Sequence, residues 1–155
     1  MLKFFTSLSL YLCCGLLLAC QSQYVTTPNL PTEAALVAES VDNGISTELE
    51  IPYLTAFRNL RQAYNHCVAF TANNRYVYTD NRLEEHLEQG TLMARTEHGA
   101  YLHKMLVEGL DPQTTRITLF LPKQYTFAQA RFKQDVQRAL GQDKNCNTYE
   151  FAQSN

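Results

Sequence analysis

The repeat of apolar residues predicts two helices, one at each end of the folded part of the chain. Over 52–71, apolar side chains recur at the spacing of three to four residues that gives an α-helix one buried face. These side chains belong to Tyr53, Leu54, Phe57, Leu60, Tyr64, Cys67 and Val68. A second apolar stripe follows the capping pair Thr126 and Gln129 and ends at Gly141, a natural C-terminal cap. The pattern therefore predicts one helix over 52–71 and a second helix that ends at Gly141.

Alternation of apolar and polar residues predicts about four strands between these helices. The predicted strands span 75–79, 90–96, 100–107 and 116–121. The segment 81–89 is ambiguous, although Leu83 and Leu87 are four residues apart and favour a short helix. Because the connecting turns are short, we expect antiparallel pairing; parallel pairs need long crossovers. The sequence thus predicts a two-layer α+β domain over 51–147, with both helices on one face of an antiparallel sheet.

Within the predicted strands, the alternation also assigns side chains to faces of the sheet. One face of the third strand is predicted to carry Tyr101, His103, Met105 and Val107. One face of the fourth is predicted to carry Ile117, Leu119 and Leu121.

The N-terminus carries a different pattern, a short apolar run that ends at a cysteine. Lys3 precedes the apolar run over 4–18, which is shorter than the about 20 residues that span a bilayer. A cation, an apolar run and a small residue before the cleavage point are typical of a secretory signal peptide. The residues at 17–20, Leu-Leu-Ala-Cys, resemble the lipobox of bacterial lipoproteins.

The resemblance implies how the chain is processed. In bacterial lipoproteins the lipobox cysteine receives a diacylglyceryl group and a peptidase cuts before it, which implies a signal peptide over 1–19 and a lipid on Cys20. Two acyl chains hold a protein on a membrane durably. Gln21, in place of Asp, implies by resemblance to enterobacterial lipoproteins the periplasmic face of the outer membrane rather than the inner membrane. An ordinary secreted protein and an uncleaved anchor are the alternatives.

Acidic residues without basic ones follow the lipobox. From residue 21 to residue 50 the charged residues are Glu33, Glu39, Asp42, Glu48 and Glu50. Charge of one sign with few apolar residues predicts a flexible tether over 20–50. The alternative is a long loop packed on the domain. At the other end, 148–155 is predicted to be a C-terminal tail.

Candidate chemistry is sparse in this sequence. It contains no G-x-S-x-G or H-E-x-x-H motif and no phosphate-binding loop. The histidines, His66, His86, His98 and His103, lack the tight spacing of metal ligands. The formal net charge of −2 provides no global field that attracts nucleic acid. We therefore predict no catalytic residue, no metal site, no cofactor and no nucleic-acid partner.

Two groups of side chains have both a functional and a structural interpretation. Around the last helix lie the basic residues Lys123, Arg131, Lys133, Arg138 and Lys144. They form either the solvated face of that helix or a contact for phosphate-bearing lipid or an acidic partner. On or near the strands lie Tyr76, Tyr78, Tyr101 and Tyr125. These either pack within the sheet or form an apolar patch that marks a partner site.

The cysteine count predicts one disulfide. Cleavage removes Cys13 and Cys14, and lipidation consumes the thiol of Cys20. Cys67 and Cys146 then remain as an even pair in an oxidising compartment, so we predict that they are bonded. The alternative is a buried apolar Cys67 and a free Cys146 thiol.

Two functions fit these features. The first is a non-enzymatic accessory lipoprotein of the bacterial cell envelope, attached to the membrane through Cys20, that binds a protein, wall or lipid component. The second is a periplasmic carrier or chaperone of an apolar ligand held between sheet and helices. A pocket of about 300 Å³ or more favours the second function.

Overall fold

The computed structural model describes residues 31–72, 75–143 and 146. The predicted signal peptide over 1–19, the lipidation site Cys20 and the predicted tail over 148–155 lie outside these residues.

A single antiparallel sheet organises the described part of the chain. Its strands are β1 (Ile45–Leu49), β2 (Phe70–Ala72), β3 (Arg75–Glu84), β4 (Gln89–Thr96), β5 (Tyr101–Asp111) and β6 (Thr114–Phe120). Their spatial order is β1-β6-β5-β4-β3-β2, with antiparallel pairing throughout. The antiparallel α+β prediction is confirmed, but the described strands number six rather than about four. The ambiguous segment 81–89 divides between the end of β3, a 3₁₀ turn at Glu85–Leu87 and the start of β4.

Among the described residues, three α-helices accompany the sheet: α1 (Glu33–Ala38), α2 (Tyr53–Ala63) and α3 (Ala128–Ala139). The first predicted helix is too long, since α2 continues only as a π turn over Tyr64–Val68 and extended backbone begins at Ala69. Residues Phe70–Ala72 pair with β3 instead, as their aromatic and β-branched side chains favour. The predicted capping pair at the start of α3 is wrong, because its N-cap is Phe127, which makes no side-chain capping bond. The predicted C-terminal cap is confirmed by the positive φ of 73° at Gly141.

Helices α2 and α3 pack on the same face of the sheet, as predicted. The fully buried core residues include Ala56, Leu60, Leu92, Met105, Val107, Ile117, Leu119 and Ala139. The predicted faces of β5 and β6 are confirmed, because Met105, Val107, Ile117 and Leu119 all point into this core. Gly90 lets α2 approach β4 closely, since an added Cβ would lie 2.3 Å from the Phe57 ring.

The tether prediction over 20–50 is wrong from residue 31 onward. Strand β1 pairs with β6 along its whole length, and Ile45 and Leu49 are buried in the core. Two of the acidic residues of this segment, Glu33 and Glu48, form ion pairs with cations far away in the chain, Lys104 and Arg116. Glu48 Oε1 lies 2.8 Å from Arg116 Nη2 on the neighbouring strand. The tether was predicted from the charges within the segment, whereas the cations that pair with these acidic residues are about 70 residues away in the chain.

Helix α1 covers part of the opposite face of the sheet. In β5, Lys104 pairs with Met93 and Phe120 and so faces away from α2 and α3. Its Nζ lies 2.7 Å from Oε1 of Glu33 in α1. This contact attaches α1 to β5 on the face that the longer helices leave uncovered. None of the helices within the described ranges has the length and apolar character that crossing a membrane requires.

Candidate functional site

A pocket of about 330 Å³ opens where the start of β5, the end of β6 and the first turn of α3 meet. Its apolar wall consists of Leu102, Leu121, Pro122 and Tyr125. The polar side chains of His103, Gln124 and Arg131 complete the lining. The three elements meet here because the chain leaves β6 at Pro122 and reverses direction before α3 begins at Ala128.

Behind the pocket lies a buried network of charged side chains. Asp135 of α3 is fully buried and accepts hydrogen bonds from two arginines on the same helix. Arg131 Nε donates to its Oδ2 and Arg138 Nη1 donates to its Oδ1, each over 3.0 Å. Tyr64 of the π turn makes a longer contact, 3.4 Å from its hydroxyl to Oδ2. Asp135 therefore links the first turn of α3 to the end of α2.

A second carboxylate extends the network towards the C-terminal end of α3. Asp143 Oδ2 accepts hydrogen bonds from Arg138 Nε over 3.0 Å and from Gln134 Nε2 over 3.1 Å. The buried Arg138 thus bridges two carboxylates. Breaking a buried pair by removing one partner costs about 3–5 kcal/mol, because the remaining charge stays buried without compensation.

The arginines of α3 are therefore not the solvated basic face that the sequence suggested. Arg138 is 1% exposed, and the Arg131 side chain is 17% exposed. The Arg131 guanidinium carbon lies 5.8 Å from the centroid of the Tyr64 ring. Lys133 remains exposed on the same helix. The charge count along the sequence missed this arrangement because it did not place Asp135 on the same buried side.

The network shifts the pKa values of Tyr64 and Arg131. Burial raises the pKa of Tyr64, and the negative charge of Asp135 raises it further, so the phenol stays neutral. Burial alone would lower the pKa of Arg131, but its interactions with Asp135 and Tyr64 together outweigh this effect and the net pKa is raised. Arg131 therefore stays cationic at the wall of the pocket.

His103 lies between the network and the pocket. Its residue is only 7% exposed, and its ring meets the Tyr64 ring edge-on at 5.2 Å between centroids. Burial lowers the pKa of His103 well below its ordinary value, and the positive charges of Arg131 and Arg138 lower it further. The imidazole is therefore neutral at physiological pH.

Two residues that line this pocket each carry a nitrogen atom without a hydrogen-bond partner among the described residues: Nε2 of His103 and Nη2 of Arg131. Both atoms are shielded from solvent. Leaving a buried polar group unpaired costs about 1–3 kcal/mol, so such a pair calls for an explanation. Sequence reasoning treated His103 as one of four isolated histidines. It also placed His103 on the same face of the third predicted strand as Tyr101 and Met105, and that position was the available signal of its burial.

The remaining candidate residues lie elsewhere. Cys67 and Cys146 are joined in a disulfide with Cα atoms 5.2 Å apart, which links the π turn after α2 to the segment after α3. The rings of Tyr76 and Tyr78 stack with their centroids 6.3 Å apart, and Tyr78 is exposed. Tyr125 alone of the predicted tyrosines lines the pocket. Within 31–72, 75–143 and 146, no three His, Cys, Asp or Glu side chains gather as metal ligands would.

No protein-family model matches this chain, and no curated protein sequence matches it.

Proposed function

We propose that this protein is a non-enzymatic accessory lipoprotein of the bacterial cell envelope. The lipid on Cys20 would hold it at the periplasmic face of the outer membrane, and its domain would bind an envelope component there. The observation that carries this proposal is the Cys67–Cys146 disulfide. It joins the two thiols that remain after cleavage and lipidation at Cys20, and disulfides persist in oxidising compartments such as the periplasm. The lipobox at 17–20 supports the same localisation.

The position of α1 brings the proposed anchor close to the domain. Only residues 21–30 separate Cys20 from the first described residue, Pro31. Ten residues span at most about 35 Å when fully extended. A lipid on Cys20 would therefore keep the folded domain near the membrane surface, where it meets partners or ligands of that surface.

The pocket favours a second candidate function, a periplasmic carrier or chaperone of an apolar ligand. Its volume of about 330 Å³ reaches the size at which small-molecule sites begin. It opens at the end of the sheet, beside the first turn of α3. A ligand there would contact the apolar wall formed by Leu102, Leu121, Pro122 and Tyr125. Both functions require binding, and they differ in whether the ligand is released to another site.

Metabolic labelling tests the lipid anchor. Cells expressing the full chain are given a labelled fatty acid, and the protein is then isolated from separated inner and outer membranes. We expect label on the wild-type protein in the outer-membrane fraction and none on Cys20→Ala. Cys14→Ala, which removes a thiol from the same segment, is the matched control and should be labelled like the wild type. Label on Cys20→Ala at the wild-type level would contradict the proposal.

A further inference from the structure

We propose that the pocket between β5, β6 and α3 binds the carboxylate of a small amphipathic molecule. Arg131 and His103 would hold the carboxylate, and the wall formed by Leu102, Leu121, Pro122 and Tyr125 would hold the apolar body. This inference rests on the proposed binding function and adds the chemical class of the ligand.

The first argument is the pair of unpaired nitrogen atoms. Arg131 uses Nε to bind Asp135, and its Nη2 has no partner within the described ranges. His103 Nε2 is likewise unpaired there, on a residue that is only 7% exposed. A guanidinium only donates, and a neutral imidazole donates from one ring nitrogen. A carboxylate presents two acceptor oxygens and so can take a hydrogen bond from each side chain.

The second argument is the sign of the local charge. Arg131 lies in the first turn of α3, a helix of 12 residues whose first turn holds no acidic side chain. The N-terminal end of a helix carries partial positive charge, which favours an anion. Asp135, the acidic group behind the pocket, is already bound by Arg131 and Arg138. The charge that faces the pocket is therefore positive, which favours an anion over a cation.

The third argument is the lining opposite these nitrogen atoms. Leu102 is 37% exposed and Tyr125 is 41% exposed, so both present apolar surface at the mouth of the pocket. An apolar group attached to the carboxylate would cover that surface. The volume of about 330 Å³ limits the bound part to a small molecule or to the last residues of a peptide. Free carboxylic acids and carboxy-terminal peptide ends share this chemistry, and the test separates them.

Fluorine NMR of a weak ligand tests the site in the full mature chain in detergent. The probe is 4-fluorophenylacetate, and its amide is the neutral control of nearly the same shape. Micelles without protein correct for partitioning. We expect the acid to bind at least tenfold more tightly than the amide. A second arm compares acetyl-Leu-Phe with its carboxy-terminal amide. Tighter binding of this peptide acid than of the phenylacetate assigns the site to peptide ends, and the reverse assigns it to free acids.

Two matched substitutions locate the binding. Leu102→Glu places a negative charge at the mouth of the pocket, whereas Leu110→Glu places one at the far end of the same strand, on a side chain that is 41% exposed. We expect Leu102→Glu to weaken binding of the acid at least tenfold and Leu110→Glu to leave it unchanged. In α3, Arg131→Gln should abolish the preference for acid over amide, and Lys133→Gln should keep it. Circular dichroism checks that each variant is folded.

Three results would overturn the proposal: no binding of either acid by the wild type, equal binding of acid and amide, or equal effects of Leu102→Glu and Leu110→Glu. The labelling of Cys20 is measured independently of all three. Loss of the lipid anchor and loss of the carboxylate site would therefore be recognised separately.

Discussion

Replacing Asp135 with asparagine removes one negative charge from the buried network and changes the side-chain volume little. In the wild-type protein this carboxylate compensates Arg131 and Arg138, each over 3.0 Å. Arg138 would keep its contact with Asp143, but Arg131 would lose its only carboxylate partner among the described residues. We expect the free energy of unfolding to fall by about 3–5 kcal/mol, the cost of breaking a buried pair from one side. That loss is a large share of the about 5–15 kcal/mol that stabilises an ordinary domain.

Urea denaturation followed by circular dichroism measures this loss, with the free energy taken from the midpoint and slope of the transition. The matched control is Glu48→Gln, which removes a carboxylate that also pairs with an arginine across 2.8 Å. The side chains of that pair are 55% and 43% exposed, so its removal should cost less than about 1 kcal/mol. A second variant, Asp135→Asn with Arg131→Met, should recover part of the loss because it also removes the uncompensated charge. Equal losses for Asp135→Asn and Glu48→Gln would refute the reasoning.

Three further predictions follow from the fold. The double variant Cys67→Ser with Cys146→Ser should lose up to about 4–5 kcal/mol in urea denaturation, because the disulfide closes a loop with a sequence separation of 79; an unchanged midpoint would contradict this. The pKa of His103 is lowered in the folded state, so the unfolded chain binds this proton first as the pH falls below about 6.5. The wild type should therefore lose free energy of unfolding below that pH, and His103→Gln should lose less of it. His98→Gln is the exposed control. Amide exchange should show protection across Ile45–Leu49, whereas exchange as fast as in an unfolded peptide would contradict the pairing of β1.

The fold was predictable from sequence wherever a run of residues kept one period. The apolar stripe from Tyr53 to Leu60 correctly predicted α2, and the alternation from Ile117 to Leu121 correctly predicted the buried face of β6. Strand β1 was not predicted, because only Ile45 and Leu49 are apolar residues on its core face. Two apolar residues four apart favour neither period, and the acidic residues around them pointed to a tether. The pairing with β6 that decides the matter connects residues far apart in the chain.

The candidate site was harder to predict because its chemistry depends on which side of α3 each residue occupies. Arg131, Asp135 and Arg138 are spaced by four and three residues, the spacing that brings side chains together on one helical face. That spacing is equally typical of an exposed, salt-bridged surface, and the arginines were interpreted from the sequence without Asp135. What distinguishes the two is Tyr64, whose ring faces the Arg131 guanidinium at 5.8 Å and whose hydroxyl contacts Asp135. Tyr64 reaches them only because α2 and α3 lie side by side on the sheet.

The same packing explains why His103 and Arg131 remain unpaired at the pocket. Both oxygen atoms of Asp135 accept hydrogen bonds from arginines of α3, Oδ2 from Arg131 and Oδ1 from Arg138. Tyr64 meets His103 with its ring edge and directs its hydroxyl at Asp135. Three nitrogen atoms of this region, His103 Nε2, Arg131 Nη2 and Arg138 Nη2, are left without partners among the described residues. The first two belong to residues that line the pocket. The proposed carboxylate would bind the two that lie on pocket-lining residues, His103 Nε2 and Arg131 Nη2, because its two oxygen atoms can each accept a hydrogen bond.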